Sequence, residues 1–218
     1  MDGLLLIDKP AGWTSHDVVA KLRGILHTRK IGHAGTLDPF ATGLLIVGVG
    51  TGTKQLTALV GTDKTYEATA RLGATSTTFD PEGTVTESSE CKVPSEEEMR
   101  HVLASFVGTH EQTAPAFSAK KVGGKKLYDL ARKGLAHNVE LPKKMVTISE
   151  LRLTSYAWPF LKFRVSCSSG TYIRSLADDI GRKLGCGAYL TELRRMKVGD
   201  FDIKDAKTLE DISAGRDT

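Results

Sequence analysis

Residues 32–50 read GHAGTLDPFATGLLIVGVG. The stretch sets His33, Thr36 and one carboxylate, Asp38, in a glycine-punctuated loop, then runs into Leu44–Val49, apolar enough for a central strand. Two readings of Asp38 compete. An Asp followed by Pro39 makes a helix N-cap and first-turn pair. A lone carboxylate on a rigid loop beside a sheet is also suited to act as a nucleophile or a base.

Working outward, "LLLI" at 4–7 predicts a short buried strand, stopped by "DKPAGW". The run "TSHDVVAKLRGILHT" predicts a helix capped by Thr14 or Ser15, with Asp17 in its first turn and Val18, Leu22, Ile25 and Leu26 on one face. Residues 65–72 alternate, putting Tyr66, Ala68, Ala70 and Leu72 on one side of a half-buried strand. The polar, turn-rich segment from about 74 to 90 predicts an exposed excursion from the sheet. A second helix is expected over "PSEEEMRHVLASF", with Ser95 and Glu98 as a capping box and Met99, Val102, Leu103 and Phe106 inward. "KKLYDLARKG" predicts a short basic helix ended by Gly134. Strands are expected at 145–155 and 160–167, and a further helix over "TYIRSLADDIGRKLG" with Ile173, Leu176, Ile180 and Leu184 inward. Strands outnumber helices and do not alternate with them regularly. That pattern predicts an α+β fold with a central mixed or mostly antiparallel sheet, in one domain over 1–218.

The bulk composition sets bounds. The 218 residues are 40% hydrophobic and 26% charged, an ordinary globular balance. No apolar run approaches the ~18 residues of a membrane-spanning helix, and "MDGLLLIDKP" lacks the basic start of a signal peptide. Three cysteines, Cys91, Cys167 and Cys186, show no C-x-x-C spacing, which predicts reduced thiols in the cytoplasm rather than disulfides or a zinc site. The net charge of +4 only permits an acidic partner. Recurrent basic pairs near Phe117, Tyr128 and Tyr172 read either as solvated surface or as contacts to RNA.

Several motifs are decoys. "VGVGTGTK" fails as a nucleotide loop, because Lys54 follows Thr53 and precedes Gln55, where a P-loop needs Gly-Lys-Ser/Thr. Its glycines fit close backbone packing followed by a turn. The six histidines have no H-E-x-x-H spacing, and no G-x-S-x-G elbow occurs. An isolated carboxylate, a strand tyrosine and a helix arginine remain, a set suited to chemistry without a cofactor.

The blocks "LLLIDKPAGWTSHDVV", "GHAGTLDPFATGLLIVGVGTGTK", "DKTYEATARLG", "APAFSAKKVGGKKLYDLAR", "SSGTYIRSLADDIG" and "LTELRRMKVGDF" occur in this order over about 3–212. The sequence thereby resembles the TruB-type tRNA pseudouridine synthases, which make pseudouridine-55 of the T loop. Its spacing is similar to the stand-alone bacterial branch rather than the guide-RNA-directed relatives. Bacterial members usually carry a PUA-like RNA-binding domain after the catalytic one. That domain is expected to be absent here, in a compact member or a shortened chain.

The resemblance implies the roles. Asp38 is the essential carboxylate, adding to C1′ of the sugar or taking a proton from C2′. Arg174 keeps it ionised, since a buried carboxylate otherwise protonates. Tyr66 stacks on the uracil and accepts the C5 proton. His33 fills the gap left by the everted base, and Tyr172 and Leu193 wall the pocket. Lys9 and Lys64 are candidates for phosphate or pocket contacts. Lys120, Lys121, Lys125, Arg132, Arg194 and Arg195 are candidates to track the RNA backbone. The expected partner is the T-arm of tRNA, bound by a monomer. A non-catalytic RNA module and a guide-dependent catalytic subunit are the competing classes.

Overall fold

Strand β3 (Thr42–Val49) organises the first part of the fold because both its faces are covered. Successive side chains of a strand point to opposite faces. Leu45, Val47 and Val49 therefore join one cluster with Ile7, Val18, Val19, Leu22 and Leu26. Leu44 and Ile46 join another with Ala34, Leu56 and Val198. Strand β1 (Gly3–Lys9) pairs antiparallel with β3, as does β2 (Ile31–Ala34). Helix α1 (Ser15–Leu26) supplies Val18, Val19, Leu22 and Leu26, each such buried side chain being worth roughly 1.5–3 kcal/mol. Its cap is Thr14: Asp17 N donates to Thr14 Oγ1 at 3.0 Å, and Thr14 N donates to Asp17 Oδ2 at 2.8 Å. Ser15, the other candidate cap, is buried elsewhere.

The structure, a computed structural model, describes residues 2–89, 91–118, 121–122, 125–127, 131 and 140–215. The chain divides into two compact units, Met1–Glu67 with Glu192–Thr218, and Ala68–Thr191. In the first, the glycine-rich run after β3 forms a 3-10 helix, Gly50–Gln55, continued by α2 (Leu56–Val60). Gly52 lies so close to the carbonyl of Gly3 that a side chain there would collide with it, which is the close packing read from the sequence. Two strands run from one unit into the other, β4 (Lys64–Leu72) and β12 (Ala188–Val198). Within the first unit β12 pairs parallel with β3 at Arg194–Thr42 and Arg195–Gly43. β13 (Phe201–Asp202) pairs with β12, and α5 (Leu209–Ala214) contributes Leu209 and Ile212 to the α1 side of the core.

The second unit continues in the strand order β12, β4, β11 (Phe160–Cys167), β10 (Lys143–Ala157), β7 (Gly108–Thr113). β11 alternates as a one-sided strand, burying Leu161, Phe163, Val165 and Cys167. β4 does not, since Thr65 and Thr69 are buried as well as Tyr66, Ala68, Ala70 and Leu72. The alternation of residues 65–72 suggests a half-buried strand, but the small hydroxyls of Thr65 and Thr69 are covered as well, and only Glu67 is exposed. Helix α3 (Glu96–Ala104) has the expected Ser95–Glu98 capping box and packs on β10. α4 (Ile173–Lys183) buries Ile173, Leu176, Ala177 and Ile180, with Gly185 left-handed just beyond its end. Short antiparallel pairs are made by β5 (Ala74–Ser76) with β6 (Val85–Glu87), and by β8 (Lys121–Val122) with β9 (Lys125–Lys126). The helix expected from Lys125 therefore begins as a strand, and most of that stretch lies outside the described residues.

The sheet is mixed, mostly antiparallel and accompanied by helices, an α+β fold as the sequence predicts. No helix among the described residues is long and apolar enough to cross a membrane.

Candidate active site

Asp38 sits half-buried on a turn that the chain fixes on both sides. No helix follows it, so the N-cap reading is replaced by a β-turn. Ala41 N donates to Asp38 O at 3.1 Å, with Pro39 in the position where its fixed φ suits such a turn. Ahead of the aspartate, Leu37 N donates to Ser15 Oγ at 2.9 Å, and Ser15 Oγ lies 3.3 Å from Leu37 O. After it, Pro39 O accepts from Gly12 N at 2.9 Å and from Lys9 Nζ at 3.2 Å. Helix α1 and the β1–α1 connection thus hold the residues flanking the carboxylate.

Lys9 belongs to this support. It is fully buried, and its ammonium also donates to Trp13 O at 2.6 Å and Pro10 O at 2.8 Å. An ammonium turned inward onto carbonyls is not placed to reach a phosphate, which leaves the pocket alternative of the expectation for Lys9. Lys64 is turned in the same way: it is buried and donates to Val60 O at 2.7 Å and to Thr62 O.

His33 lies on β2 opposite Val47, half-buried, with Nδ1 buried and unbonded among the described residues. Burial pushes its pKa below the ordinary value, and the charges of Arg195 and His16 push it the same way, so the ring is neutral near neutral pH. Tyr66 on β4 and Leu193 on β12 are buried in the same unit.

The consecutive arginines of β12 diverge as strand geometry requires. Arg194 is partly exposed and forms a two-pronged pair with Asp8, Nη2–Oδ2 2.6 Å and Nη1–Oδ1 3.1 Å. Arg195 is 1% exposed and donates to the carbonyls of Leu44 and Gly35. It cannot track an RNA backbone. Of the other expected cations, Lys120 and Arg132 lie outside the described residues, while Lys121 and Lys125 stand on β8 and β9.

In the second unit, α4 presents Tyr172 at its N-cap and Arg174 in its first turn. Gln112 of β7 braces Tyr172 twice, accepting from Tyr172 N at 2.8 Å and donating to Tyr172 O at 3.0 Å. Arg174 is 4% exposed. It donates to Asp80 Oδ2 at 3.0 Å and to the carbonyls of Thr78 and Phe117, both at 2.9 Å. Asp80 also accepts from Thr78 Oγ1 and, at 3.0 Å, from Glu82 N. Phe79, between the two residues that face Arg174, takes a left-handed φ of 62°, an uncommon conformation for a bulky residue. The segment expected as a solvent-exposed excursion therefore carries Ser76, Thr78 and Asp80 inward, while Thr75, Thr77 and the β6 side are exposed.

Asp80, Gln112 and Ser15 are the residues that the sequence did not flag. Asp-Pro in "FDPEG" reads as a turn, and a strand glutamine carries no pattern. Ser15 was visible only as an alternative cap.

This fold occurs in solved structures. A Cbf5-Nop10-Gar1 complex matches with a TM-score of 0.77 at 31% identity, covering 97% of this chain and 54% of that one. An H/ACA RNP bound to a substrate RNA containing 2′-deoxyuridine matches with a TM-score of 0.74 at 30% identity, covering 97% and 52%. The fold is that of the pseudouridine synthases.

Residues 23–173 match the profile described as TruB family pseudouridylate synthase (N terminal domain), and residues 174–216 match that of the tRNA pseudouridylate synthase B C-terminal domain. The tRNA pseudouridine synthase B of Syntrophobacter fumaroxidans is 46% identical over 213 residues, 98% of this chain and 69% of that protein. That of Leifsonia xyli subsp. xyli is 50% identical over 214 residues, 95% and 70%. The chain belongs to the TruB family of pseudouridylate synthases. It spans about seven-tenths of these two relatives and about half of the solved chains.

Proposed function

We propose that this chain converts uridine to pseudouridine in the T loop of tRNA, at position 55, with Asp38 as the essential carboxylate. The observation that carries the reading is the turn at 38–41, which holds a half-buried acid by bonds to Ser15, Gly12 and Lys9 on its two sides. Reacting groups held in place before substrate arrives lower the barrier through orientation.

The isomerisation breaks the uracil N1–C1′ bond, turns the base and joins C5 to C1′. C5 loses its proton and N1 gains one, so the product has the atoms of the substrate. Asp38 either adds to C1′ or takes a proton from C2′, and the two routes share its need to be ionised. Arg174 is the cation proposed to keep it so. Tyr66 stacks on the uracil and receives the C5 proton. The target must leave the stacked loop, at a cost of a few kcal/mol. His33, neutral and half-buried, is suited to stack in the vacated space without drawing a phosphate, and Tyr172 and Leu193 bound the base.

The test is release of tritium from a T-arm hairpin labelled at C5 of its uridines. Release from the hairpin with uridine at the target, and none when uridine is moved one position, is the expected result. Supplying no guide RNA and no partner proteins in the same assay separates a stand-alone enzyme from a guide-dependent subunit. Binding without release in the wild type would leave an RNA module and end the enzymatic reading.

A further inference from the structure

Arg195 is buried without a carboxylate to pair with among the described residues. Its guanidinium faces neutral acceptors: Nε donates to Leu44 O at 2.7 Å and Nη2 to Gly35 O at 2.8 Å. Desolvating a cation for neutral partners is costly, and an apolar side chain of similar volume is often as stable or more so. Core stability alone therefore does not account for an arginine here.

The two carbonyls bracket the 35–44 segment, one on each side of Asp38. The backbone of Arg195 is also in register with Gly43, close enough that a Cβ on Gly43 would meet Arg195 N at 2.7 Å. At the other end Gly35, with φ +72°, leaves room for only 3.3 Å between an added Cβ and Arg195 Nη1. One residue of β12 thus ties down both ends of the loop. A guanidinium has donors in a rigid planar fork that can meet two acceptors at a fixed angle, whereas a lysine ammonium is a single point on a flexible stem.

We propose that Arg195 is a positioning residue of the reaction: by bridging Gly35 and Leu44 it sets the span of the catalytic loop and hence where Asp38 presents its carboxylate. The inference rests on the reading of Asp38 given above. It assigns Arg195 no contact with RNA.

The test compares Arg195→Lys and Gly35→Ala with the wild type, using single-turnover rate on the T-arm hairpin and RNA affinity by filter binding. Arg195→Lys keeps the charge but reaches one carbonyl. Gly35→Ala keeps the guanidinium and crowds the loop away from it. Both are expected to slow turnover by about 10²-fold, the loss typical of small misplacements, with RNA affinity unchanged. A merely structural role would lower the melting temperature and leave the rate of the folded enzyme alone. Wild-type turnover in the folded variants overturns the proposal, as does a loss of RNA affinity equal to the loss of rate. If Arg195→Lys does not fold, Gly35→Ala is judged by the same two measurements. Asp38→Asn in parallel separates the two claims: activity surviving there defeats the role of Asp38, whereas an inactive Asp38→Asn beside a fully active Arg195→Lys defeats only the role of Arg195.

Discussion

Arg174 Nη1 and Asp80 Oδ2 lie 3.0 Å apart, with the two side chains 5% and 4% exposed, so the guanidinium that opens α4 is tied to the β5–β6 connection. Removing one partner of a buried pair costs about 3–5 kcal/mol. Asp80→Ala is accordingly expected to lower stability by that amount in urea denaturation. Asp80→Asn keeps an acceptor and is expected to lose less. Equal stability of Asp80→Ala and wild type would show that Arg174 does not depend on this partner.

Asp38→Asn is expected to bring tritium release to background while RNA affinity stays near wild type. The substitution preserves the shape of the side chain and the bonds of the turn, which run through the backbone of residues 37–41. Release at even a hundredth of the wild-type rate, after removal of contaminating enzyme, would argue against a covalent or proton-transfer role.

His33 gives a pH dependence of definite sign. Its folded pKa is pushed below the ordinary value of 6.5, first by burial and then by the charges of Arg195 and His16. The unfolded state therefore binds the proton more readily, and stability falls as pH drops below about 6.5. Above that pH the group contributes no slope. Urea midpoints measured between pH 7.5 and about pH 5.5 should decline on acidification, and His33→Gln should flatten part of that decline. An unchanged profile in His33→Gln would show that the ring titrates normally.

Thiol reactivity should separate the cysteines. Burial pushes the Cys186 thiol up to about 12, with the neighbouring Cys91 thiol as the second cause. Cys186 and Cys167 are each 1% exposed, while Cys91 is half-buried. Iodoacetamide at neutral pH is expected to label Cys91 in the native protein and all three in urea, read by peptide mass spectrometry. Native labelling of Cys186 as fast as Cys91 would contradict this.

Gly43→Ala should be among the more damaging small substitutions. At φ +99° the residue is in a region L side chains rarely adopt, and the added Cβ would strike the backbone of Arg195. Backbone pinned by strand pairing cannot yield cheaply, so a loss of about 1–3 kcal/mol is expected from thermal melts.

Local chemistry was legible in the sequence. Ser95 and Glu98 could be read as a capping box, and Leu44–Val49 as a central strand, because both depend on near neighbours. Asp38 stood out because its block is dense in glycine and proline. The burial of Lys9, Lys64, Arg174 and Arg195 was not legible. For the two arginines, turning inward depends on carbonyls and carboxylates supplied by remote segments, as Gly35 and Leu44 do for Arg195. Lys64 instead turns onto the nearby carbonyls of Val60 and Thr62, which carry no sequence pattern. Arg195 follows Arg194 in a basic pair, and nothing in that pair tells which member faces water. Asp80 was hidden for the same reason, since Arg174, its partner, is 94 residues away along the chain.

Leu37 and Pro39 are bonded to α1 and its preceding loop by groups of the chain itself, which come together as it folds. The conformational entropy of that stretch is therefore lost at folding rather than at association. Calorimetry of complex formation should record the unstacking of a nucleotide without a disorder-to-order signature from the acid's own segment. A preset carboxylate leaves the RNA as the partner that has to move.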